Sequence, residues 1–166
     1  MMLYVLRHGV AEEVGPEGTD GSRRLTPGGR RKLRAAAAGM RALGLTFDAV
    51  LTSPLVRAAE TAAIVAEAQG SQAAPRELSA LEPGVPPAET VRALRAFARY
   101  EHVVIVGHEP GLSGVVAFLL TGSPDGLRLA LKKGGLVALD MQDPGRGDRA
   151  TLHFMLTPRQ LRRLGR

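Results

Sequence analysis

The sequence predicts an α/β fold: one domain over residues 1–166, a three-layer α/β/α sandwich around a mostly parallel central sheet. Three observations predict it. Short, uninterrupted apolar runs such as Leu3-Tyr4-Val5-Leu6 and Val103-Val104-Ile105-Val106 have the pattern of strands buried on both faces. Stretches with helical apolar spacing alternate with these runs, the order of a parallel sheet with helical crossovers. The chain has 166 residues, 45% of them apolar, which suffices to bury roughly two-thirds of its unfolded surface in a single core, and no repeat or linker divides it.

The first strand stops at Arg7-His8-Gly9, and residues 10–24, rich in Gly, Glu and Asp, read as a surface loop. Thr26 is a good N-cap and Pro27 suits the first helical turn, so a helix runs through Leu33, Ala37, Met40 and Leu43 and ends at Gly44. A second strand over residues 48–52 leads through Ser53-Pro54-Leu55 into a helix containing Ile64, Val65 and Ala68. Pro75, Pro83, Pro86 and Pro87 make residues 72–87 irregular. A helix over 88–99 precedes the strand 102–106, and Gly107-His108-Glu109-Pro110 opens a helix over 111–120. Residues 127–131, 135–141 and 150–155 read as closing strands, and Thr157-Pro158 starts a short basic helix.

Composition removes several function classes. The absence of cysteine excludes disulfides, thiolate zinc sites and cysteine nucleophiles, and is compatible with a reducing compartment. The start lacks the features of a secretory signal, and no apolar run approaches the roughly 20 residues that span a bilayer, so a soluble cytoplasmic protein with no membrane partner is expected. The net charge of +6 comes mainly from dispersed Arg, with clusters at Arg23-Arg24, Arg30-Arg31-Lys32 and Arg159 to Arg166. No zinc finger, RNA-binding signature or aromatic-interleaved basic stretch accompanies them. The expected partners are therefore anionic ligands, not nucleic acid. The four histidines form no ligand pair on one helix face, so neither a metal nor another cofactor is expected. No long exposed apolar helix demands a second subunit, and oligomeric state is left open.

In a parallel sheet, ligands gather where strands end and helices begin. Three such ends carry groups suited to one anion: Arg7-His8 after the first strand, Ser53 and Arg57 after the second, and Gly107-His108-Glu109 after the third long one. A neutral imidazole at His8 is a nucleophile toward phosphorus. Arg7 and Arg57 offer forked donors for non-bridging oxygens, and His108 can donate to the phosphoryl group in the transition state. The plain alternatives are a surface turn at Arg7-His8, a hydrogen-bonded helix cap at His108, and an Arg57–Glu60 ion pair. Glu109 either orients the His108 ring or occupies its helix's first turn. His102 and His153 are expected to be structural or superficial.

Four stretches resemble the histidine phosphatase superfamily, also called phosphoglycerate mutase-like: Leu6-Arg7-His8-Gly9, Leu25-Thr26-Pro27-Gly28-Gly29, Leu51 to Ala62 with Ser53, Arg57 and Glu60-Thr61, and Val106-Gly107-His108-Glu109-Pro110. The resemblance implies the phosphoglycerate mutase-like fold, phosphorylation of His8, and a metal-free phosphate pocket completed by Arg7, Gly9, Ser53, Arg57 and His108. The short chain and the segment Leu131-Lys132-Lys133-Gly134-Gly135-Leu136 look most like the compact SixA-type phosphohistidine phosphatases. The implied substrate is phosphohistidine on a protein such as a histidine phosphotransfer domain. One departure bears on the leaving group. Family members that cleave phosphate esters carry a glutamate acid, and the corresponding neighbourhood here offers Glu82 in Leu81-Glu82-Pro83-Gly84, a sequence that also suits an ordinary turn. Small phosphate esters thus stay an alternative substrate class, with mutase activity ranked below them. A non-catalytic phosphate-binding module is the alternative outside enzymes.

Overall fold

The computed structural model describes residues 1–70, 74–143 and 150–166. In chain order the elements are β1 (Met2–Arg7), α1 (Pro27–Ala42), β2 (Ala49–Thr52), α2 (Val56–Ala68), β3 (Arg76–Glu77), α3 (Pro87–Leu94), β4 (His102–Gly107), α4 (Gly111–Thr121), β5 (Leu136–Met141), β6 (Ala150–Leu156) and α5 (Pro158–Leu164). The strands form one sheet in the order β3-β2-β4-β1-β5-β6. The pairings β1–β4, β2–β4 and β2–β3 are parallel, whereas β5 runs antiparallel to both β1 and β6. The sheet is therefore mostly parallel, with β5 reversed.

Side chains alternate across this sheet and split the core into two layers. Leu3, Val5, Leu51 and Ile105 face α3 and α4 through Val91, Leu94, Leu112 and Leu119. Tyr4, Leu6, Val50 and Val104 face the other helices through Ala37, Met40, Val65 and Leu161. Burial on both faces explains the uninterrupted apolar runs, each large aliphatic side chain contributing roughly 1.5–3 kcal/mol.

The helix starts follow their capping residues. The Thr26 hydroxyl accepts from Gly29 N–H at 2.9 Å, and Thr157 forms a reciprocal capping box with Gln160. α5 docks on α1 at Gly39, where a Cβ would lie 1.9 Å from the Leu161 carbonyl oxygen, so only glycine permits this approach of backbones.

Three sequence expectations need correction. Residues 127–131 form no strand. The flanks of β1 are already taken by β4 and β5, so these alternating leucines pack on the core and on a cavity wall instead. The helix expected over 88–99 starts at Pro87, ends at Leu94 and tightens into a 3-10 turn at Arg95–Phe97. The stretch read as irregular contains β3, pairing with β2, and a 3-10 turn at Ser79–Leu81; its residues 72–73 lie outside those described. Between β5 and β6 the register shifts, because Ala138 pairs with Phe154 but Leu139 with Leu152, leaving His153 as the extra residue of a bulge. No helix among the described residues is long and apolar enough to cross a membrane.

Candidate active site

Parallel pairing sets Arg7 beside Gly107, so the residues that follow, His8 and His108, leave the sheet at the same level. Their rings lie 5.1 Å apart between centroids, tilted by 50°. The turn after β1 is held on several sides. His8 N–H donates to the Gly107 carbonyl at 3.1 Å, and Gly134 N–H donates to the carbonyls of both Arg7 and His8 at 3.0 and 3.1 Å. Gly134 makes these bonds with φ of +76°, a conformation costly for other residues. Gly9 N–H donates to the Thr61 hydroxyl at 3.1 Å, and that hydroxyl donates to the Arg57 carbonyl at 2.7 Å. Thr61 thereby ties the turn after β1 to the helical turn that carries Arg57.

The protonation pattern of His8 follows from its partner. Its Nδ1 lies 2.7 Å from the Gly9 carbonyl, which can only accept, so Nδ1 carries the proton and Nε2 keeps its lone pair. Burial pushes the His8 imidazole down to about 3, with the positive charges of His108, Arg57 and Arg7 adding to the effect against the Gly9 hydrogen bond. His108 is lowered to about 4, again chiefly by burial and next by Arg57, with Asp20 opposing. Its Nε2 lies 2.8 Å from the Ser53 hydroxyl, and its Nδ1 is buried without a partner among the described residues.

Arg7 donates through Nη1 to the Leu131 carbonyl at 2.9 Å, and its buried Nε has no partner among the described residues. Arg57, only 5% exposed, likewise has an Nε unpaired among the described residues, while its terminal nitrogens donate to the Asp20 carbonyl at 2.8 Å and the Asp20 carboxylate at 2.9 Å. Asp20 also accepts from Arg23, and these two hydrogen bonds, Arg23 foremost, hold its carboxyl below the usual range. An exposed carboxylate thus rests on a buried guanidinium, where an anionic ligand would bind.

The structure brings Arg7, His8, Gly9, Arg57 and His108 together. Ser53, expected to touch phosphate, is fully buried and engages the His108 ring. Glu82 is exposed and shares the wall of a cavity of about 620 Å³ with His108. Glu60 pairs with Arg30 and accepts from Leu25 N–H, which removes the Arg57–Glu60 alternative. Glu109 accepts from the backbone and hydroxyl of Ser113, so it occupies the first turn of α4 and does not orient His108. His102 is structural, its backbone held by Asp48 and its ring near the Tyr4 hydroxyl, and His153 is exposed. Sequence reasoning missed Asp20 and Thr61. Thr61, four residues after Arg57, lies on the same helical face, and that spacing was its signal; Asp20, in a glycine-rich loop, offered none.

Two predictions follow from this arrangement. Both folded-state histidine values lie below the ordinary 6.5, so the unfolded chain binds more protons between them. The stability contribution of these rings is complete above about pH 6.5 and declines as pH falls toward their folded values. Imidazole NMR signals of His8 and His108 are expected to stay neutral down to about pH 5, and a midpoint near 6.5 at either ring would contradict the buried, cation-flanked geometry. Asp20→Asn removes the charge that competes for Arg57. Inorganic phosphate should then bind up to about fivefold more tightly by calorimetry, the range of one exposed ion pair; weaker binding would show that Asp20 assists the anion.

Comparisons place this geometry among known proteins. The sequence pattern defining the histidine phosphatase superfamily (branch 1) matches residues 3–81. An uncharacterized protein of Picosynechococcus sp. is 36% identical over 145 residues, 84% of each chain. In three dimensions the chain is similar to the protein histidine phosphatase SixA complexed with tungstate, with a TM-score of 0.85 at 22% identity over 97% of this chain and 99% of that one. It is also similar to a putative alpha-ribazole-5'-P phosphatase from Escherichia coli, with a TM-score of 0.75 at 19% identity over 95% and 97% of the two chains. The matched segment, which runs from β1 past Arg57, carries the pattern of the histidine phosphatase superfamily, and the described chain shares the fold of these solved structures.

Proposed function

We propose that residues 1–166 act as a metal-independent phosphatase that takes the phosphoryl group onto His8, with phosphohistidine on a protein as its substrate. The observation that carries this reading is the hydrogen bond from His8 Nδ1 to the Gly9 carbonyl, which leaves an unprotonated Nε2 among Arg7, Arg57 and His108. In the first step the Nε2–P bond forms while the bond from phosphorus to the leaving nitrogen breaks, and that imidazole takes its proton from solvent water. Arg7 and Arg57 neutralise the equatorial oxygens. Ser53 is a positioning residue: with its hydroxyl donating to His108 Nε2, the ring's proton sits on the otherwise unpaired Nδ1, available to the phosphoryl group. In the second step water attacks phosphorus, the P–Nε2 bond breaks, and inorganic phosphate leaves a neutral His8.

The preference for nitrogen over oxygen rests on the carboxylates. Asp20 is engaged by Arg57 and Arg23, and Glu109 by Ser113. Glu82 stands exposed on the cavity rim, its carboxylate without a hydrogen bond or ion pair among the described residues. Among the described residues no acid is therefore held ready for an alkoxide, whereas a phosphohistidine nitrogen needs less forceful protonation. The one observation favouring the second reading, hydrolysis of small phosphate esters, is that Glu82 and His108 share a cavity wall.

A turnover comparison between a phosphohistidine protein and a panel of phosphate esters tests the proposal. Wild-type protein pulsed with phosphohistidine should carry acid-labile, base-stable phosphate, and His8→Ala should lose both label and turnover, by roughly 10³-fold or more. Full turnover by His8→Ala would overturn the mechanism. Glu82→Gln should leave phosphohistidine turnover within about threefold while slowing any ester hydrolysis by about 10²-fold or more, the scale of general acid catalysis. Equal losses on both would give Glu82 the acid's role for nitrogen as well.

A further inference from the structure

Two of the basic clusters noted in the sequence have no part in the reaction above, yet the fold brings one residue of each, Lys32 and Arg162, beside it. A second cavity, of about 420 Å³, opens next to Arg7 and Gly9 between α1, the Lys132-Lys133-Gly134 turn and α5. Lys32, Lys132, Lys133 and Arg162 line it with Arg7, and no carboxylate does among the described residues. Sequence distance hides this grouping; the close docking of α5 on α1 at Gly39 creates it. Arg30 and Arg34, on the same helix as Lys32, are paired with Glu60 and Glu67. Lys32, Lys132, Lys133 and Arg162 enter no ion pair among the described residues, so the cations facing this cavity are uncompensated. The cavity on the His108 side has the opposite character, since Glu82, Glu109 and Asp125 line it with Arg128 as its one cation among the lining residues.

We propose that the basic cavity is a docking site for carboxylate side chains flanking the phosphorylated residue of a partner protein. The inference rests on the phosphohistidine reading and adds the chemistry of the partner. Arg7 belongs to both the phosphate pocket and the cavity, so a phosphoryl group held there brings its flanking residues within reach of the lysines. The acidic wall beyond His108 repels the same carboxylates, which fixes the direction in which the partner lies. The limited volume suits a few side chains, and the absence of aromatic lining removes the stacking that single-stranded nucleic acid would need.

The test uses a fluorescent, unphosphorylated hexaglutamate peptide and the full chain. Wild-type protein should bind it with an affinity that falls steeply with salt. The triple variant Lys32→Gln, Lys133→Gln and Arg162→Gln should weaken binding at least about tenfold, a ratio worth 1.4 kcal/mol. Turnover of p-nitrophenyl phosphate, or its phosphate binding, should stay within about twofold, which shows that the variant is folded. On a phosphohistidine protein with acidic flanks, the same variant should raise KM and spare kcat. No peptide binding, binding indifferent to the substitutions, or tighter binding of an oligonucleotide of equal charge overturns the proposal. Peptide binding that the triple variant abolishes, in a protein that clears no phosphohistidine, would sink the catalytic reading and leave the cavity as an acidic-peptide site.

Discussion

Two histidines from the same end of the sheet's central strand pair meet ring to ring because β1 and β4 run parallel, side by side in one register. Arg7 sits opposite Gly107, and the backbone of His8 is bonded to the carbonyl of that glycine. A slip of one residue would turn every side chain of β1 to the other face and withdraw His8 from its partner. The apolar alternation that fixes this register, Leu3 and Val5 against one helical layer and Tyr4 and Leu6 against the other, is thus also what aligns the site. Packing and chemistry depend on the same strand pair.

The site concentrates positive charge where water is scarce, and the protein meets the cost in two ways. The histidines give up their charge, so only the two guanidinium groups remain cationic. Arg7 is steadied by a backbone carbonyl, whereas Arg57 has a carboxylate from a loop that is itself exposed. The second arrangement is reversible. A fully buried carboxylate would neutralise Arg57 too tightly for a ligand to displace, while an exposed one yields to a better anion at small cost.

Much of this was legible in the sequence for physical reasons that can be named. Burial on both faces leaves continuous apolar runs, and Thr-Pro pairs mark helix starts, so the strand ends and the residues carried on them could be placed. The segment 127–131 was misread because leucines at alternate positions also suit an extended chain crossing the end of a core. The roles of Ser53 and Glu109 depended on which neighbour each polar group would find. Ser53 looked like a phosphate contact but is spent on His108, and Glu109 on Ser113. Asp20 was invisible because the path of the loop over residues 10–24 is set by tertiary bonds, such as Val56 N–H to the Gly21 carbonyl, and by no periodic pattern.

The bulge at His153 bears on how this molecule behaves when crowded. One border of the sheet is β3, just two residues long, and the other is β6, which exposes Leu152 and Met155. A regular β6 with these side chains would be a template for strands of neighbouring chains. The extra residue breaks the spacing of its outward hydrogen-bonding groups and increases the local twist, so an incoming strand cannot stay in step along its length. The irregularity that spoils the pairing of β5 with β6 thereby guards the open border against aggregation.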